Sequence, residues 1–187
     1  MINLNSIKAT MLPHIFSVIL FIVLSCVYMG PYFKNKVLQQ GDIIQYKGAS
    51  KEINDYYDKT GKRALWTNSL FGGMPSFQIS FASDSNIYRF INKYFTFKIP
   101  RPISLLLTGL FGFYILSVVL GLSPLVCFIG SFAFSFSTYS IILIEAGHNT
   151  KLMALSYLPV IMAGVILLFR EKYWLGLIFT TLGLGLN

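Results

Sequence analysis

Residues 102–144 read PISLLLTGLFGFYILSVVLGLSPLVCFIGSFAFSFSTYSIILI, 43 residues without an Asp, Glu, Lys or Arg. A helix needs about 20 apolar residues to cross a bilayer. The stretch is too long for one span and right for two. Gly121-Leu122-Ser123-Pro124 supplies the break, because Gly and Pro together end one helix and start the next. Outward from this pair the pattern repeats. Residues 9–33 carry no such charge, residues 152–169 carry none, and the chain is again apolar over 173–187. The expected architecture is an all-α, polytopic transmembrane helical bundle of five segments, at 11–30, 102–121, 124–144, 152–169 and 173–187. The fifth is shorter than a full span, which predicts the N-terminal part of a longer membrane protein.

Composition agrees. Hydrophobic residues make up 55% of the 187 and charged residues 12%, against about 25% charged in soluble domains. Mean hydropathy is +0.64. The 17 Phe and 11 Tyr exclude a disordered chain, since disordered segments are poor in aromatics. Val23-Leu24-Ser25-Cys26 loosely resembles a lipoprotein cleavage box, but the later segments favour a retained anchor helix over a secretory signal. Cys26 and Cys127 both fall in apolar segments and read as small buried hydrophobes.

The connection 31–101 holds eleven Lys/Arg and five Asp/Glu. Loops this long translocate largely regardless of charge, so the short loops decide orientation. Lys8, Arg170 and Lys172 fall on one side, which predicts a cytoplasmic N-terminus and an extracytoplasmic first loop. The net charge of +8 is scattered along the chain. It predicts contact with membrane lipid phosphates and no nucleic-acid partner.

The first loop is rich in aromatics and is expected to be partly helical. Residues 46–59 read as one short polar helix with Ile53 and Tyr57 four apart. Residues 86–97 place Ile87, Phe90, Ile91, Tyr94 and Phe95 on one face, the pattern of a helix lying in the membrane interface. Between them, residues 66–75 mix polar groups and aromatics with a Gly72-Gly73 turn.

Three polar clusters can carry chemistry. Asp42, in Gly41-Asp42-Ile43-Ile44-Gln45-Tyr46, follows the first segment and is either a helix N-cap or a functional carboxylate. Glu145-Ala146-Gly147-His148-Asn149-Thr150-Lys151 joins two apolar segments. It reads either as a solvated turn or as a site, because ionisable groups at membrane ends are functional candidates. Trp66 and the glycines beside it either pack as a tight turn or let backbone approach a ligand. His14 reads as interfacial, the Ser/Thr-rich run 131–140 as a close helix contact, and Arg101-Pro102 as an interface anchor or a phosphate holder. No Cys-x-x-Cys, His-Glu-x-x-His or serine elbow is present.

These three clusters, in order, resemble the YfhO family: Gly-Asp-x-x-Gln-Tyr, Trp-Thr-Asn-Ser-x-Phe-Gly-Gly-Met-Pro and Glu-Ala-Gly-His-Asn-Thr-Lys. The family comprises multi-spanning bacterial membrane proteins grouped with GT-C glycosyltransferases, which take a sugar from a polyprenyl-phosphate donor. The resemblance implies a plasma (inner) membrane enzyme acting on an extracytoplasmic acceptor such as a cell-envelope glycan. It puts the catalytic carboxylate at Asp42, with Gln45, Trp66, Asn68, Glu145 and His148 lining the pocket. Tyr46 and Asn149 of the same motifs join the substrate-binding set. Lys47, Lys51, Arg101, Lys151 or protonated His148 would meet the departing phosphate. Mg²⁺ or Mn²⁺ between Asp42 and Glu145 is an option, since hard oxygen ligands suit such ions. The alternative function is a membrane transporter or a non-catalytic envelope assembly protein.

Overall fold

Each charge-free stretch becomes helix. The structure is a computed structural model that describes residues 4–80, Ile91, Tyr94 and 98–186. Helix α1 (Leu4–Tyr28) is followed by a 3₁₀ turn (Gly30–Lys34) and by the short helices α2 (Gly41–Ala49) and α3 (Lys51–Thr60). Two-residue strands β1 (Trp66–Thr67) and β2 (Met74–Pro75) pair antiparallel, with Trp66 opposite Pro75. The apolar helices α4 (Ile103–Leu120), α5 (Pro124–Ser135), α6 (Thr138–Ala146), α7 (Asn149–Phe169) and α8 (Tyr173–Leu186) complete the chain.

Among the described residues, three helices are long and apolar enough to cross a membrane: Met11–Tyr28 within α1, then α4 and α7. Their composition is that of a membrane protein. Helices α5 and α6 pass the same test only as a pair, bent by 43°. This corrects the single segment expected over 124–144. The chain leaves the helix at Phe136, and Ser137 becomes the N-cap of α6, its hydroxyl accepting from the Ser140 amide. A serine offers the backbone this local alternative to helix continuation. Helix α8, at 14 residues, is short of a span.

The loop also differs from expectation. The one helix foreseen over 46–59 is two, divided at Ser50, which is the C-cap of α2 and the N-cap of α3. Ile53 is buried whereas Tyr57 stays exposed. The amphipathic helix expected over 86–97 lies outside the described residues apart from Ile91 and Tyr94, both helical.

Helix α4 is the centre of the bundle, with 61% of its span buried against 17% of the α1 window. Phe21 of α1 stacks on Phe128 of α5 at 5.2 Å and meets Tyr114 of α4 edge-on at 5.5 Å. Small residues bring the helices together, as membrane packing favours. Gly109 of α4 faces the Ser135 and Ser156 hydroxyls, and Gly176 of α8 lies against Leu168 of α7. Ser131, Ser135 and Ser140 are buried, so the Ser/Thr-rich run does pack helices. His14 Nδ1 lies 2.8 Å from the Tyr114 hydroxyl. Both cysteines are free.

Two ends result. At the turn end, Gly121 closes α4 in the left-handed region at φ 85°, and the Arg170 guanidinium donates to the Val119 carbonyl. At the loop end, α2 meets the corner between α6 and α7.

Candidate functional site

The corner at the loop end is built by Gly147. It ends α6 at φ 94°, and a Cβ there would lie 3.0 Å from Gln40 Cβ and 3.2 Å from Asp42 Cβ. The start of α2 therefore rests directly on the glycine. Helix α7 begins at Asn149, three residues earlier than expected. Asn149, Thr150 and Lys151 thus form a first helical turn rather than a loop.

Gln40 fastens the two segments. Its amide nitrogen donates to the Ile144 carbonyl and, at 3.2 Å, to Asn149 Oδ1; Asn149 Nδ2 returns a bond to Gln40 Oε1 at 3.4 Å. Asn149 is buried, where an unsatisfied amide would be costly. Gln40 also occupies the N-cap position of α2 without a side-chain cap bond. This excludes the N-cap reading of Asp42, which lies inside the first turn. There the helix macrodipole favours a negative charge. The Asp42 carboxylate meets His148 Nδ1 at 2.5 Å, both side chains half-exposed.

Asp42, Gln45, Tyr46, Arg101 and Asn149 line one open cleft of about 1070 Å³. Five residues named from the sequence therefore share a cavity, and His148 touches it through Asp42. Leu70 and Thr150 also line it. The Tyr46 hydroxyl lies 3.1 Å from the Ser80 hydroxyl. Arg101 makes a weak contact, Nη2 to Met153 Sδ at 3.4 Å.

The remaining candidates lie elsewhere. Lys47 is exposed in the last turn of α2. Lys151 places its ammonium over the Tyr139 ring at 5.7 Å. Lys51 pairs with Asp55 at 2.7 Å, which raises its pKa from the usual lysine value. Trp66 lies over Gly73, where a Cβ would come within 2.7 Å of its indole nitrogen. The Asn68 amide donates to Glu52 Oε2 at 3.0 Å, and the Thr67 hydroxyl donates to the same oxygen at 2.5 Å. The Thr67 bond holds the Glu52 carboxyl below its ordinary range, burial opposes it, and the Asn68 and Ser69 amides add to the lowering. The Trp66 turn is thus tied to α3, and neither Trp66 nor Asn68 is among the residues lining the Asp42 cleft.

Glu145 lines a different, mainly apolar cavity of about 460 Å³. Asp42 and Glu145 thus line two different cavities. Among the described residues no three His, Cys, Asp or Glu side chains group as metal ligands. Sequence reasoning missed Gln40 and Glu52. Gln40 stands two residues before Asp42, which is the only signal that points to it.

Chemically, the cleft offers a carboxylate hydrogen-bonded to an imidazole, a guanidinium, and amide and hydroxyl groups. That set can accept a proton from a hydroxyl and hold an anion. Comparison with family models, curated proteins and solved structures finds no match for this chain.

Proposed function

We propose that the chain belongs to a YfhO-like, GT-C-type glycosyltransferase in a bacterial plasma membrane. In this reading α1, α4, the bent pair α5–α6 and α7 are four spans, and α8 is a shorter apolar helix beside them. The N-terminus is cytoplasmic and the Asp42 cleft extracytoplasmic. The observation that carries the proposal is the 2.5 Å contact of Asp42 with His148 at a cleft that Arg101 also lines.

The reaction is inverting transfer from a polyprenyl-phosphate sugar to an acceptor such as a cell-envelope glycan. Asp42 takes the proton of the acceptor hydroxyl as its oxygen bonds to the anomeric carbon. The bond from that carbon to the phosphate oxygen breaks, and the phosphate leaves with the electron pair. His148 orients the carboxylate, and Arg101 offsets the developing charge. Gln45, Tyr46 and Asn149 offer hydrogen bonds to sugar hydroxyls.

The test is transfer of labelled sugar from a panel of polyprenyl-phosphate donors by membranes carrying the full-length protein. Asp42→Asn should lower transfer by about 10²- to 10⁴-fold, the usual worth of a positioned base, with insertion unchanged. Wild-type rates in that variant would remove Asp42 from the chemistry.

A transporter or envelope assembly protein is the second reading. The 43° break between α5 and α6 favours it, since transporters bind at discontinuous helices. No Asp, Glu, Lys or Arg lies at that break, which favours chemistry at the membrane surface.

A further inference from the structure

The apolar cavity behind the cleft has its own chemistry. It lies where α1 ends, between the 3₁₀ turn and α6, and Tyr28, Met29, Tyr32, Leu38, Ile141 and Ile144 form its walls. Tyrosines at the end of a span mark headgroup depth. The volume, about 460 Å³, falls in the range of small-molecule sites, about 300–1,000 Å³. Two charged side chains line it: Lys36 and Glu145. Neither makes an ion pair among the described residues.

An apolar pocket with one cation and one carboxylate matches a lipid whose headgroup carries both signs. We propose that this cavity seats a phosphatidylethanolamine. One acyl chain enters the apolar walls, Lys36 holds the phosphate, and Glu145 accepts hydrogen bonds from the ammonium. A phosphatidylglycerol headgroup would meet Lys36 equally but offers Glu145 no cation. Glu145 then serves lipid selection rather than the Asp42 cleft. The proposal does not depend on the transferase reading.

The probe is nanodiscs holding phosphatidylethanolamine and phosphatidylglycerol in equal amounts and no other lipid. Native mass spectrometry of the released chain counts the retained lipid. Wild type should retain one phosphatidylethanolamine in preference to phosphatidylglycerol by about two- to fivefold, the range of a partly exposed ion pair. Glu145→Gln should bring that ratio to about one, and Lys36→Gln should reduce retention of both lipids. Ile141→Trp, which fills the apolar wall and leaves both charges, should also reduce both. Equal retention by wild type, or an unchanged preference in Glu145→Gln, would overturn the proposal.

Discussion

Glu145 and His148 stand three residues apart, yet they serve different spaces. Gly147 explains the separation. Its left-handed conformation turns the chain between them, so His148 reaches Asp42 while Glu145 lines the apolar cavity. Adjacency in sequence grouped them, and one dihedral angle divides them. The resemblance placed Asp42 and His148 in one pocket, whereas no spacing rule links residues so far apart, and the direct contact between them was not legible. Glu52 makes a separate prediction at this scale. Its folded-state pKa is lowered from the ordinary 4.5 by the Thr67 hydroxyl. Its contribution to stability is therefore complete above about pH 4.5 and fades as pH falls through the lower folded value. Hydrogen exchange at the Asn68 amide should be slower in wild type than in Glu52→Gln above that pH. The difference should shrink under more acidic conditions, and a constant gap would deny the carboxylate its role.

The positions of the long helices were readable because charge is so costly in a bilayer that its absence marks a span. The division of α5 from α6 was not readable in the same way. Phe136 and Ser137 lie within the uncharged Ser/Thr-rich run 131–140, and hydropathy is blind to a serine that caps the next turn. Likewise, α2 and α3 share one polar stretch, and a buried Ser50 divides them. The docking of α2 on the corner gives a test at the scale of elements. Gly147→Ala forces a side chain into a left-handed residue, at about 1–2 kcal/mol, and pushes a Cβ against Gln40 and Asp42. Gly121→Ala carries the backbone cost alone, since its Cβ would meet open space. The unfolding temperature should fall in both variants, but exchange of the Ile44 amide, which donates to the Gln40 carbonyl at 3.1 Å, should accelerate in the first only. Equal acceleration in both would mean that α2 does not depend on the corner.

At the scale of the whole molecule, α4 is wrapped by its neighbours while α1 shows Leu12, Phe16, Ile19, Val23 and Val27 along an exposed stripe. In a membrane this stripe meets lipid or another helix. The helices alternate in direction, so α3 and the α7–α8 turn lie at opposite ends of the bundle, which the proposed topology assigns to opposite faces of the membrane. Cysteines placed at Asp58 and Lys172 check this. With the N-terminus cytoplasmic, as proposed, a membrane-impermeant thiol reagent should modify position 58 on intact cells and position 172 only after permeabilisation. Labelling of both from one side would break the alternation.

The pair that joins Gln40 to Asn149 spans 109 residues of chain. A ribosome adding about 5–20 residues per second takes roughly 5–20 s to cover that interval. For those seconds α2 exists without the surface it will rest on. The Thr67 bond to Glu52 closes over only 15 residues, so α3 and the Trp66 turn can hold a shape of their own meanwhile. Order of synthesis thus separates a loop that fastens early from a cleft that is finished late.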